Sequence, residues 1–368
     1  MRILQLVAGE KWTGAAAVVF DQTAALVAAG VEAQFGFVRE SPLAARLLPL
    51  GWARPLLSPA RDRLRYFRDV REVRQTIDRE RFDLVHCHAS HDHYVAAAAR
   101  RSGSTALVRT IHNLGHARGD PLTRRVFRRT DAFAFANRAI AEKFGGGGPV
   151  LPPAVDPVRF SPGDKPSGRL IGLGVPERAF VVGTVGKLAA GRGHREAIEA
   201  AAPLPADTVL LHVGKGELRS ELQARAGALG TASRNFWAGY ADEDLPDYYR
   251  AMDVFLFPAS GSEQGQRALL EAMASGVPVV ALDVPGVRDL VTDGREGFVV
   301  SAAADLGPAL RRLRGDPTLR AEMGNRGRAR AQEFRGATFA TAARDFYARL
   351  LARKSSTSRA WDATETAG

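Results

Sequence analysis

Five prolines between Pro152 and Pro166 interrupt a chain that otherwise alternates short apolar runs with helical stretches. Before the break, runs at Met1–Ala8, Gln34–Val38, Phe82–His86, Ala106–Ile111 and Ala132–Ala136 read as strands, with helical character at Gly14–Ala29, Arg63–Arg79 and Tyr94–Arg100. After it the alternation restarts: strands at Phe180–Val185, Val209–Val213, Asn235–Gly239, Val254–Phe257 and Val277–Leu282, helices at Arg195–Ala201, Glu217–Ala228 and Arg267–Ala274. Strands separated by helices pair in parallel, with helices covering both faces of the sheet. The chain of 368 residues therefore reads as two α/β domains facing a cleft. The expected boundaries are 1–160 and 169–336, with a linker at 161–168. A last helix over 337–352 and a polar, disordered tail over 353–368 complete the expectation.

Charge is uneven. Residues 1–150 hold 23 Lys and Arg against 14 Asp and Glu, a net +9, whereas the remainder is +2. The excess lies in Arg54–Arg81 and Arg118–Asp131, which interleave arginines with apolar side chains. Such stretches suit an anionic membrane surface or an acidic substrate, or else form solvated helix faces. No nucleic-acid-binding motif accompanies them, so no nucleic acid is expected. A single cysteine, Cys87, excludes an internal disulfide framework and points to the cytoplasm, with peripheral attachment at the inner face of the plasma membrane as the companion expectation. The opening MRILQLVAGEKW reads as a first strand, too short for a signal peptide.

The stretch Asp253–Val300 carries the most chemical information. Its apolar strand ends at Pro258, and turn formers lead into a helix rich in Ala, Leu and Glu. Gly276 and Pro278 end that helix before the next strand. Glu263 and Glu271, with seven residues between them, flank the start of the helix at the carboxyl end of a strand, where open α/β sheets bind ligands. Gly183-Thr-Val-Gly186-Lys187 and Arg192-Gly193-His194 form another strand-to-helix connection, and Val213-Gly214-Lys-Gly216-Glu217 a third. His86, His88, His91 and His93 fall within eight residues, a density that invites a zinc reading but lacks a further ligand outside the segment; no metal is expected.

Glu263, Glu271 and the strand–loop–helix–Gly-x-Pro–strand around them resemble the E-x7-E motif of family 4 glycosyltransferases, retaining enzymes of the GT-B fold. The resemblance covers roughly residues 1–350. It implies that Glu263 binds the transferred sugar and Glu271 the ribose of a nucleotide sugar. Lys187 stands where the family has an Arg, and Arg192 where it has a Lys; both remain cations for a diphosphate leaving group. Gly186, Gly214, Gly216 and Glu217 would line the nucleotide side, and Gly14 is the one match to the family's glycine pair after the first strand. Glu263-Gln264-Gly265-Gln266 departs from the common E-G-F-G start, and with the extra Arg267 this suggests an unusual donor sugar or an acidic group nearby. His112 matches the strand-end T-x-H and would face the donor sugar or the acceptor; His88 would lie on the acceptor side. The implied function is glycosyl transfer to a glycan or lipid-linked acceptor without cofactor, by front-face displacement with no protein nucleophile. A sugar-nucleotide epimerase of the same fold, a glycan phosphorylase and a non-catalytic sugar-nucleotide or nucleic-acid binder are the competing readings. The phosphorylase needs a longer chain and a pyridoxal-phosphate lysine motif not found in this sequence.

Overall fold

The computed structural model describes residues 1–9, 14–42, 44–59, 63–101, 105–113, 120–259 and 266–365. It divides into two compact units, Met1–Ala154 with Gly336–Gly368, and Val155–Arg335.

The first unit holds β1 (Arg2–Leu6), β2 (Glu32–Val38), β3 (Ala53–Leu57), β4 (Leu84–Cys87), β5 (Ala106–Ile111) and β6 (Ala132–Phe135). They form one sheet in the order β3-β2-β1-β4-β5-β6, with every pairing parallel. Side chains alternate across it. Leu4, Leu6, Val85 and Cys87 pack with Val73, Ile77 and Val95 from helices Tyr66–Glu80 and Ser90–Ala99. Ile3, Leu84 and Val108 face the other way, onto Phe339, Ala343 and Tyr347 of the helix Gly336–Glu365.

The second unit repeats the plan with β7 (Phe180–Val185), β8 (Thr208–Val213), β9 (Asn235–Gly239), β10 (Val254–Phe257), β11 (Val279–Leu282) and β12 (Gly297–Val300). The order β12-β11-β10-β7-β8-β9 is again parallel throughout. Burial on both faces explains why its strands read as unbroken apolar runs. The strand order of each sheet reverses between its first and fourth strands, β1 and β4 or β7 and β10, and that switch point sets where a ligand crevice opens.

Three sequence expectations change. The strands β3 and β12 were not anticipated: β3 contains Arg54 and Pro55, a combination tolerated because it lies at the sheet edge. The proline-rich stretch is not a free linker over 161–168. Val155 donates its N–H to Phe334 O at 2.9 Å, Phe160 packs edge-on against Tyr249, and Lys165 pairs with Asp253 at 2.7 Å, so the segment from Val155 onward belongs to the second unit. The final helix runs on past Ala352 to Glu365. No Gly or Pro interrupts it, and Lys354 is held at Thr105 O (3.0 Å) and Asp131 (3.3 Å).

Candidate functional site

The second unit brings three connections together at the carboxyl ends of β10, β7 and β8, beside the switch point between β7 and β10. The connection after β7 is stitched to that after β8: Gly186 N–H donates to Val213 O (2.9 Å), Leu188 N–H to Lys215 O (3.0 Å) and Leu218 N–H to Leu188 O (3.1 Å). Gly214 N–H in turn donates to Gly239 O at 2.7 Å. Two glycines make this closeness possible. A Cβ on Gly216 would fall 2.0 Å from Leu188 O. Gly193 takes φ +75°, and a Cβ there would fall 2.0 Å from Pro258 O, at the end of β10.

Lys187 and Glu217 meet across the first two connections, Nζ to Oε2 at 2.9 Å, with both side chains well exposed. Arg192 is partly buried, and desolvation pulls its guanidinium below the usual arginine range. His194 opens the helix His194–Ala201 and holds the loop by bonding Lys187 O through Nε2 at 3.1 Å; burial depresses its pKa to about 4, so it is neutral.

Glu271 lies in the helix Gln266–Ala274 and is almost fully buried. Each carboxylate oxygen has its own donor: the Tyr249 hydroxyl reaches Oε2 at 2.9 Å and Arg267 Nε reaches Oε1 at 2.8 Å. Arg267 is thus a partner of Glu271 within the helix, one turn away. Gln266 is also buried, its amide donating to Pro285 O at 3.0 Å. Glu263, Gln264 and Gly265 lie outside the described residues. Tyr249 escaped sequence reading. It sits 22 positions before Glu271 on the separate helix Leu245–Ala251, and no spacing rule links the two.

In the first unit, the corresponding edge carries the histidines. Gln5 of β1, His86 of β4 and Thr110 of β5 share the face covered by the helix Gly336–Glu365, and His88 and His112 continue its alternation just past β4 and β5. His86 bonds the Tyr347 hydroxyl (Nδ1, 2.7 Å) and Thr110 Oγ1 (Nε2, 2.7 Å). His88 bonds Gln5 Oε1 (Nε2, 2.7 Å) and His112 Nε2 (Nδ1, 3.1 Å). Burial pushes His86 down to about 3 and His88 well below the ordinary imidazole value, and the charge of Arg109 adds to both. The acceptor-side expectation for His88 is corrected: it is buried with both ring nitrogens engaged, so it holds its neighbour. His112, half-exposed, is the histidine at the edge. Asp92 fastens the same edge, accepting N–H groups of Ala8 (3.0 Å) and Ala89 (2.9 Å) beside the buried Arg109 (3.4 Å). Gly14 is described as the first residue of the helix Gly14–Ala28. Among the described residues, no three His, Cys, Asp or Glu side chains converge as a metal site.

Known proteins carry the same pattern. The model described as Glycosyltransferase Family 4 matches residues 12–159, and that described as Glycosyl transferases group 1 matches residues 179–316. The D-inositol 3-phosphate glycosyltransferase of Geodermatophilus obscurus is 34% identical over 266 residues, 62% of this chain and 59% of that protein. The protein of that name from Nocardia farcinica is 31% identical over 305 residues, covering 73% of this chain and 67% of its own length. The lipopolysaccharide core biosynthesis glycosyltransferase LpsE of Rhizobium meliloti is 28% identical across 83% of this chain and 88% of its own. The chain thus spans about six-tenths of the first of these relatives. Among solved structures, HepE of Anabaena in complex with UDP superposes with a TM-score of 0.80 at 22% identity, over 94% of this chain and 99% of that one. The two doubly wound sheets are those of the GT-B fold, and the chain belongs to the family 4 glycosyltransferases.

Proposed function

We propose that this protein transfers a sugar, with retention of anomeric configuration, from a nucleoside diphosphate to an acceptor hydroxyl. The observation that carries the reading is that the connections bearing Lys187, Arg192 and Glu217 pack against one another and against the end of β10, the strand before the helix that carries Glu271. Lys187 and Arg192 would bind the diphosphate and stabilise the charge that develops as the glycosidic bond stretches. Glu271, held by Tyr249 and Arg267, would accept hydrogen bonds from ribose hydroxyls. Glu263 would orient the sugar, and His112 would meet the sugar or the acceptor. HepE was solved with UDP, which makes UDP-sugars the first donors to test.

The acceptor is a lipid-linked saccharide or lipopolysaccharide-type glycan at an anionic membrane surface. LpsE supports that class, and so does the surface of the first unit. There the helices Tyr66–Glu80 and Pro121–Arg128 flank Ser90–Ala99 and, with the short turn Arg63–Arg65 before the first, expose Leu64, Phe67 and Leu122 among Arg71, Arg124, Arg125 and Arg128. Apolar side chains among arginines suit insertion into a headgroup region. Among the described residues, no helix is long and apolar enough to cross a membrane.

The test is a thermal-shift screen of UDP-, GDP-, ADP- and dTDP-sugars, followed by NMR of the product anomer. Stabilisation by one nucleotide that disappears in Glu271→Ala and Lys187→Ala supports the donor site. An inverted product overturns retention, and hydrolysis or epimerisation without acceptor overturns transfer. Flotation with vesicles containing anionic lipid, lost in a Phe67→Ser/Arg71→Glu variant, tests the membrane reading.

A further inference from the structure

We propose that Gln5, His88 and Tyr347 are positioning residues that hold His112 as its Nε2–H tautomer, so that His112 Nδ1 is the hydrogen-bond acceptor at the sheet edge. The argument follows hydrogens along one buried chain. His86 and His88 are neutral, so each carries one N–H. Tyr347 lies 2.7 Å from His86 Nδ1. A phenol is the stronger acid and an imidazole nitrogen the stronger base, so the O–H donates to Nδ1. His86 then carries its hydrogen on Nε2 and donates to Thr110 Oγ1.

With its hydrogen committed to His86, the Tyr347 oxygen offers Gln5 only lone pairs. The Gln5 amide nitrogen therefore faces Tyr347, at 3.2 Å, and its carbonyl faces His88 Nε2, at 2.7 Å. His88 must be protonated on Nε2 to donate to that carbonyl, which leaves its Nδ1 as an acceptor. The one hydrogen available between His88 Nδ1 and His112 Nε2, 3.1 Å apart, then belongs to His112. In its neutral form His112 consequently has its lone pair on Nδ1, and whatever meets that nitrogen must then donate to it. The opposite amide orientation would reverse every bond in the chain and turn Nδ1 into a donor.

The chain is built by the fold. Strand alternation places Gln5, His86, His88, Thr110 and His112 on one face, and Tyr347 arrives from a helix some 230 residues later in sequence than His112.

The assignment is independent of the glycosyl-transfer reading; its effect on turnover rests on that reading. The experiment is long-range 1H–15N correlation of histidine-labelled full-length protein near neutral pH, with His112 assigned through His112→Gln. The expected spectrum shows His86, His88 and His112 all protonated on Nε2. An Nδ1–H pattern for His112 overturns the proposal. In Gln5→Leu the His112 pattern should collapse to an average of both tautomers while circular dichroism is unchanged; an unaltered pattern also overturns it. Tyr347→Phe, which frees the Gln5 amide to reverse, gives the same reading should Gln5→Leu not fold. In turnover, Gln5→Leu should lower kcat roughly tenfold with nucleotide affinity unchanged, since the nucleotide residues lie in the second unit. Absence of turnover with every donor in wild type would sink the functional reading and leave the tautomer result standing.

Discussion

The Tyr249 hydroxyl and the Glu271 carboxylate meet at 2.9 Å in the core of the second unit, where both residues are almost fully shielded from water. Burial and the adjacent carboxylate hold the Tyr249 phenol protonated, well above its ordinary range. The phenol therefore remains the donor of this bond. Tyr249→Phe removes one donor and nothing else. We expect a stability loss of about 1 kcal/mol and nucleotide-sugar binding weakened about fivefold to tenfold. Urea unfolding reads the stability loss and calorimetric titration with the nucleotide found in the screen reads the binding, each against Glu271→Ala, which should be the more severe.

Lys187 and Glu217 form an exposed ion pair, and such pairs contribute about 0–1 kcal/mol. Their separate replacement should barely move the melting temperature. Binding should separate them: Lys187→Ala should weaken affinity for the nucleoside diphosphate at least about tenfold, because a charge-assisted bond to phosphate is lost. Equal effects on affinity for the nucleoside monophosphate and diphosphate would show that Lys187 does not contact the terminal phosphate.

Gly193 is the tightest joint between the connections after β7 and β10. Gly193→Ala combines an unfavourable φ of +75° with a Cβ 2.0 Å from Pro258 O. The expected cost is about 3 kcal/mol, from backbone strain and overpacking together. Displacement of the loop carrying Arg192 should weaken nucleotide binding beyond what the stability loss alone explains. A variant that melts and binds like wild type would refute the close approach.

Acid should destabilise the protein through its buried imidazoles. His86, His93 and His212 are depressed to about 3 and His194 to about 4, in each case chiefly by burial. Unfolded histidines titrate near 6.5, so below that pH the unfolded chain takes up protons that the folded chain refuses. Stability is complete above about pH 6.5 and declines as the pH falls toward the folded values, by up to about 1.4 kcal/mol per pH unit for each histidine. His93→Gln, which retains a partner for Thr130, should flatten the decline by about one histidine's share. Urea unfolding at about pH 7.5 and about pH 5 measures it.

The site was legible where it is written in short stretches of chain. Lys187, Arg192 and the glycines of the β8 connection lie in strand-to-helix turns whose composition marks them, and Glu271 lies in the helix after β10; the β7 and β8 connections do pack together. His88 was misplaced because a strand-end histidine looks alike whether it faces a ligand or a buried amide; only Gln5, 83 positions earlier in the chain, decides between them. The prolines signalled the change of domain but not its position, since Phe160 and Lys165 find partners in the second unit.

Sequence alone determined the class of fold. Periodicity, helix stops and buried apolar runs are local properties, and two rounds of strand–helix alternation admit few arrangements other than parallel, doubly wound sheets. The tertiary structure decided which polar groups meet: Tyr249 with Glu271, and Tyr347 with Gln5 and His86. Those pairings join residues 22, 342 and 261 positions apart. Nothing local encodes them, because a buried hydroxyl or amide must find a partner in whatever chain the packing of helices on sheets brings beside it.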